Sequence, residues 1–205
     1  MDWRAKLMGA ALLGLVRLLT GAQARWHGCP PKAEQRIYFA NHQSHADLVL
    51  IWAALPEELR SITRPIAARD YWTASAFKRW ITQAVLNAVY VERERKGDED
   101  PLRPLIDALQ SGDSLILFPE GTRGHDSEPQ AFKSGLYNLA CRFPEVVLVP
   151  TWIHNAQRVM PKGEVVPVPV LCSVTFGAPL QLGPDENRET FLRRAREAVL
   201  ALREV

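Results

Sequence analysis

Short apolar runs alternate with longer amphipathic ones along most of this chain. Residues 36–40, 115–118 and 146–149 are nearly continuous apolar stretches of strand length, as expected of strands buried on both faces. Residues 62–68 and 88–91 read as further strands. The first of these is weakened by Pro65, because proline cannot donate to a sheet ladder. The 146–149 run continues into 150–153, and 172–176 makes a last strand. Residues 165–170 alternate with prolines and read as a loop or edge segment. Helical patterns lie between. Residues 48–55 are wholly apolar, and 72–86 carry Phe77, Trp80, Ile81, Ala84 and Val85 at helical spacing. Pro101 opens a helix with Leu102, Leu105, Ile106 and Leu109 that stops near Gly112; 133–142 make a shorter one. Residues 186–203 set Phe191, Leu192, Ala195, Ala198, Val199 and Leu202 on one face. Strands alternating with helices predict an α/β domain: one sheet covered by helices.

Residues 2–20 do not fit that alternation. An apolar run from Leu7 to Val16 is interrupted by Arg17, well short of the roughly 20 apolar residues a spanning helix needs. The segment reads as an amphipathic helix lying in a membrane interface, with Trp3 at headgroup depth and Arg4, Lys6 and Arg17 reaching for phosphates. A secretory leader would also start with charge and an apolar core, but Arg17 sits too late for one. Charge supports the interface. The whole chain carries only +2, yet residues 1–40 hold six Lys or Arg against Asp2 and Glu34, a bias suited to anionic lipid. Overall charge does not suggest nucleic acid. The expected division is a membrane-interface segment over 1–30 and a catalytic domain over 31–205. Cys29, Cys141 and Cys172 are far apart, and free thiols in a reducing cytosol are expected.

Two stretches carry candidate chemistry. Asn41-His42-Gln43-Ser44-His45-Ala46-Asp47 joins a strand to an apolar helix. With Ser44 as helix N-cap, Asp47 falls at the third helical position and leans back toward the ring of His42. A histidine held by a carboxylate can take a proton from a hydroxyl. The same residues fit a Ser-x-x-acid capping box, which needs no catalysis. The second stretch, Phe118-Pro119-Glu120-Gly121-Thr122-Arg123-Gly124, follows a buried strand. Its glycines let backbone N–H groups turn toward an anion, Thr122 and Arg123 add donors, and Lys133 adds a charge downstream. It reads equally as a tight turn with a Glu120–Arg123 ion pair. A metal-dependent hydrolase using His42, His45 and Asp47 is a competing reading, as is a non-catalytic lipid-binding protein.

Taken in order, these stretches resemble the glycerolipid acyltransferases, whose best-known members are the bacterial 1-acylglycerol-3-phosphate acyltransferases. Residues 41–47 match the His-x₄-Asp block. Residues 87–93 resemble a strand ending in Arg, 118–123 the Phe-Pro-Glu-Gly-Thr-Arg block, and 149–153 the Val-Pro block. The resemblance implies a single mixed sheet and acyl transfer from acyl-CoA or acyl carrier protein to a lysophospholipid hydroxyl, 1-acylglycerol-3-phosphate first and lyso-ornithine lipid or another lysophospholipid as the alternative, without a resident cofactor or metal. It implies His42 as general base with Asp47 orienting it. It also implies acceptor-phosphate binding by Arg93, Glu120, Gly121, Thr122 and Arg123. A peripheral or monotopic enzyme on the cytoplasmic face of a membrane follows. Asn87 and Gly124 depart from the family pattern, as does the stretch 72–86, where relatives shape the acyl groove.

Overall fold

The computed structural model describes residues 3–44, 46–92, 100–124, 128–159 and 168–205. Its strands are β1 (Gln23–Trp26), β2 (Arg36–Ala40), β3 (Thr63–Ala68), β4 (Val89–Val91), β5 (Ser114–Leu117), β6 (Val147–Ile153) and β7 (Ser173–Phe176). They form one sheet in the order β1-β7-β6-β2-β5-β3-β4. The five strands from β6 to β4 are mutually parallel. β7 runs antiparallel to β6, and β1 is parallel to β7. The single mixed sheet is therefore as expected. Every residue of β2 is buried, which explains why its sequence has no polar alternation. It lies at the centre with helices on both sides.

The helices are α1 (Trp3–Thr20), α2 (Asp47–Ala54), α3 (Glu57–Ser61), α4 (Arg69–Trp72), α5 (Ala76–Trp80), α6 (Arg103–Gln110), α7 (Gly135–Arg142), α8 (Ala156–Val159) and α9 (Arg188–Ala201). One core packs α2 and the inner side of α1 against Tyr38, Ala40, Ile116 and Phe176. The other packs α6, α7 and α9 against Ile37, Phe39, Leu115 and Leu148. The period of two along β2 thus divides its side chains between two apolar layers.

This arrangement fixes where a site can form. The chain leaves β2 through α2 on one face, toward β3. It leaves the adjacent β5 through α7 on the other face, toward β6. A crevice opens between the carboxyl ends of two neighbouring strands whose connections diverge in this way. The two candidate stretches follow those two strand ends.

Several local expectations change. Residues 72–86 are not one helix. They break into α4, α5 and a π-helical turn, Ile81–Val85. Ser75 interrupts them by capping α5, its Oγ accepting the Lys78 N–H at 3.2 Å. Pro65 does lie within an interior strand. It is tolerated because β3 pairs with β5 as far as Pro65 and with β4 only from Ile66. Gln23–Trp26, placed by the sequence in the N-terminal segment, is a sheet strand paired with β7. α7 starts at Gly135 rather than at 133: the Ser134 carbonyl at its N-cap accepts the Asn138 N–H at 2.9 Å, and the Lys133 N–H donates to the Pro119 carbonyl at 2.8 Å. Residues 165–167 of the expected 165–170 loop lie outside the described residues.

Candidate active site

His42 and Asp47 meet at the end of β2. The ring Nδ1 lies 2.8 Å from Asp47 Oδ2, but the local geometry differs from the one expected. α2 begins at Asp47 itself, with Ala46 at its N-cap position. Ser44 does not cap the helix; its Oγ accepts the Ala46 N–H at 3.2 Å. Asp47 reaches back across the turn instead, and its Oδ2 also accepts the N–H groups of Gln43 at 2.7 Å and Ser44 at 2.8 Å. The acid half of a capping arrangement is therefore present, with the histidine added to it. A side chain so surrounded by donors, and only 1% exposed, is an acceptor. It holds the proton of His42 on Nδ1 and leaves Nε2 with a free lone pair. The positive end of α2 favours the charge on Asp47.

The imidazole is also held by its face and its main chain. Phe118 stacks on it, ring centroids 4.3 Å apart and planes 19° apart. The loop after β5 grips the His42 backbone at both polar groups. The His42 N–H donates to Glu120 Oε1 at 2.8 Å, and the Gly124 N–H donates to the His42 carbonyl at 2.9 Å. The second Glu120 oxygen accepts the Gln130 N–H at 2.8 Å. Glu120 is buried, and burial raises its pKa above the ordinary carboxylate range, partly offset by the two amide donors. This corrects the expectation that Glu120 contacts an acceptor phosphate. Both its oxygens are committed to backbone amides, and its charge would repel an anion. The alternative Glu120–Arg123 ion pair does not form among the described residues.

Asn41 supplies a further brace. Its side chain accepts the Ile153 N–H at 2.8 Å and donates to the Ile153 carbonyl at 3.3 Å. The side-chain amide thus continues the β2–β6 pairing one residue past the end of β2.

A cleft of about 290 Å³ opens at the histidine, lined by His42, Phe118, Gly121 and Lys133 and by apolar side chains that include Ile66, Val91, Leu105 and Leu136. Gly121 has φ +73, and a Cβ there would lie 2.6 Å from Lys133 Nζ. The ammonium therefore lies directly over the glycine, a contact that only glycine permits. Of the sequence candidates, His42, Gly121 and Lys133 share this cleft. Thr122 is exposed and Arg123 half-buried in the same loop; neither lines the cleft. Arg123 has no hydrogen bond or ion pair among the described residues. Arg93 and His45 lie outside them. Sequence reasoning missed Phe118, Asn41 and the bracing role of Glu120. Each acts on a neighbour from another strand, and strand order cannot be read from one sequence.

An oriented histidine at the mouth of an apolar cleft, with the Lys133 ammonium beside it, suits group transfer on an anionic amphiphile. The chain belongs to the acyltransferase family, whose family model matches residues 27–154. The relatives it matches carry narrower names. It is 30% identical over 142 residues to 1-acyl-sn-glycerol-3-phosphate acyltransferase alpha of Mus musculus, an alignment covering 67% of this chain and 46% of that protein. It is 31% identical over 135 residues to the protein of the same name from Homo sapiens, covering 64% of this chain and 44% of that one. The chain thus spans about half the length of these relatives. The fold is that of the 1-acyl-sn-glycerophosphate (LPA) acyltransferase PlsC from Thermotoga maritima. The TM-score is 0.73 at 22% identity, over all of this chain and 83% of that one.

Proposed function

We propose that this protein transfers a fatty acyl group from an acyl thioester to the free hydroxyl of a lysophospholipid, with 1-acylglycerol-3-phosphate the acceptor and phosphatidic acid the product. The observation that carries this reading is the His42–Asp47 pair, oriented on three sides and open to an apolar cleft with Lys133 at its edge. His42 Nε2 takes the acceptor's hydroxyl proton as the oxygen attacks the thioester carbonyl carbon. The carbon–sulfur bond then breaks, and the leaving thiolate takes the proton from His42. Asp47 stabilises the imidazolium formed between these steps. No acyl-enzyme is required. Arg123 and Lys133 would hold the acceptor phosphate, Thr122 would add a hydroxyl donor, and the Gly121 backbone would let Lys133 come close. The apolar walls suit an acyl chain. No resident metal or cofactor enters the scheme.

Membrane docking through α1 belongs to the same reading. Met8, Leu12, Leu13 and Val16 turn inward onto the core, while Trp3, Leu7, Leu15 and Leu18 face outward, Leu18 at 83% exposure. Those four fall on one stripe of a 3.6-residue repeat. Leu171 extends the patch beyond Gly21. Apolar surface of this extent suits a lipid interface. No helix among the described residues is long and apolar enough to cross a membrane. Arg17 was expected to reach for phosphates, but one of its nitrogens points toward the Ala53 carbonyl at 3.4 Å. Arg4 and Lys6 are exposed near the start of α1, where headgroups on the cytoplasmic face would meet them.

The deciding experiment incubates purified protein with mixed lysolipids and both thioester donors, with and without chelator, and reads new diacyl species by mass. Phosphatidic acid formed in the presence of chelator is the expected result. A different diacyl lipid would change the acceptor. Absence of any product would remove the enzyme reading.

A further inference from the structure

We infer that a second cleft, between the start of α9 and residues 129–132, binds the adenosine 3′,5′-bisphosphate end of a coenzyme A thioester. This rests on the acyl-transfer reading and names its donor. The cleft is about 640 Å³, lined by residues 129–132 with Arg188, Glu189, Leu192, Arg193 and Arg196. Its size lies within the usual range for small ligands, about 300–1,000 Å³.

Charge identifies the ligand class. Three arginines face one glutamate in the lining. Arg196 is partly committed: its Nε donates to the Pro129 carbonyl at 2.8 Å and an Nη to Glu128 at 3.1 Å. It therefore fixes the wall. Arg188 and Arg193 are exposed and make no hydrogen bond or ion pair among the described residues. Two uncommitted guanidinium forks suit phosphate oxygens. Pro129, Phe132 and Leu192 supply an apolar surface between them that suits a flat purine. A cleft rimmed by cations is a poor place for an acyl chain. A concave site of this size also fits a nucleotide better than the face of an acidic carrier protein, which needs roughly 800 Å² of matching surface.

Position supplies the second argument. Residues 129–132 line this cleft, and the next residue, Lys133, lines the catalytic one. Four residues of extended chain reach at most about 14 Å. A pantetheine arm running along this segment would carry the thioester from one cleft to the other. The same segment touches the base indirectly, because the Gln130 N–H and the His42 N–H share the carboxylate of Glu120.

The test uses the full chain and the double variant Arg188→Gln/Arg193→Gln, with Arg158→Gln as a surface control. Adenosine 3′,5′-bisphosphate binding is measured by calorimetry, which does not depend on turnover. The KM is then measured for an acyl-CoA and for the matching acyl-pantetheine, which lacks the nucleotide. The bisphosphate should bind the parent and the control, and bind the double variant at least tenfold more weakly. KM for acyl-CoA should rise by a similar factor, with KM for acyl-pantetheine and for the lysolipid unchanged. Equal bisphosphate binding by parent and double variant overturns the site. So does an equal rise in KM for both donors, which would report a disturbed loop. Turnover with acyl carrier protein alone, weakened in the double variant, would assign the surface to an acidic protein instead. Arginine-dependent nucleotide binding without acyl transfer to any lysolipid would uphold the cleft and remove the proposed function.

Discussion

Asp47→Asn separates the proposed catalytic use of this carboxylate from its structural use. Three donors converge on Oδ2, namely His42 Nδ1 and the amides of Gln43 and Ser44. Oδ1 is buried and has no hydrogen-bond partner among the described residues. An asparagine can therefore keep its carbonyl oxygen toward all three donors and place its NH₂ where Oδ1 was. The turn and the histidine tautomer should survive, and only the charge is lost. In the transition state a proton sits on Nε2, and the imidazolium so formed lies 2.8 Å from the carboxylate. A hydrogen bond to a charged partner contributes about 1.5–3 kcal/mol, a neutral one about 0.5–1.5. The ring side chain is 20% exposed, so solvent moderates the larger figure. The midpoints of these ranges differ by about 1–1.5 kcal/mol, which corresponds to a fall in kcat of roughly tenfold. Thiol release at saturating acceptor gives kcat, and a thermal melt of the same sample gives the fold. An unchanged kcat would show that Asp47 only shapes the turn. A rate loss accompanied by a large fall in Tm would show that it holds the helix start.

Further outcomes follow from the same geometry. His42→Ala should lower kcat by about 10²–10⁴ or more, while liposome binding and the melt stay near those of the parent. Arg123→Ala should raise the acceptor KM about tenfold and leave the donor KM unchanged; destabilisation with normal acceptor kinetics would make it a structural residue. Gly121→Ala should cost about 1–2 kcal/mol for an alanine held at positive φ and displace Lys133; in a Lys133→Met background the added effect on acceptor KM should vanish. Glu120 has a raised folded-state pKa, so its contribution to stability is fully present below the unfolded glutamate value near 4.3 and is lost as pH rises through the raised one. The Tm of the parent minus that of Glu120→Gln should therefore shrink as pH climbs from about 4, while kcat of the variant stays low because one amide then faces an NH₂ group. Leu7→Ser/Leu18→Ser should weaken binding to anionic liposomes without lowering Tm; equal binding would reject α1 as the docking face.

Contacts between near neighbours were readable, and contacts between strands were not. The His42–Asp47 contact follows from a five-residue spacing at a strand-to-helix junction, and survives although the helix starts later than expected. The buried strands were visible because a central parallel strand must be apolar on both faces. Glu120 was misread because its partner, the His42 amide, lies just past the end of a strand, 78 residues away. Nothing in one sequence says that β5 lies beside β2. Pro65 misled for a related reason: its cost depends on which neighbour pairs at that residue, which only the register shows. The break inside 72–86 was signalled by Ser75, a residue suited to capping, beneath an otherwise convincing aromatic stripe.

The bonds that hold His42 bear on how the chain acquires activity. Its amide is anchored 78 residues away, and the adjacent Asn41 is tied to Ile153, 112 residues away. Such contacts form only after large loops have closed, and high contact order makes folding slow. A nascent or partly refolded chain can form the local His42–Asp47 turn without the walls that aim it. A fully braced His42 is then a late property of folding, arriving when β5 and β6 dock on either side of β2.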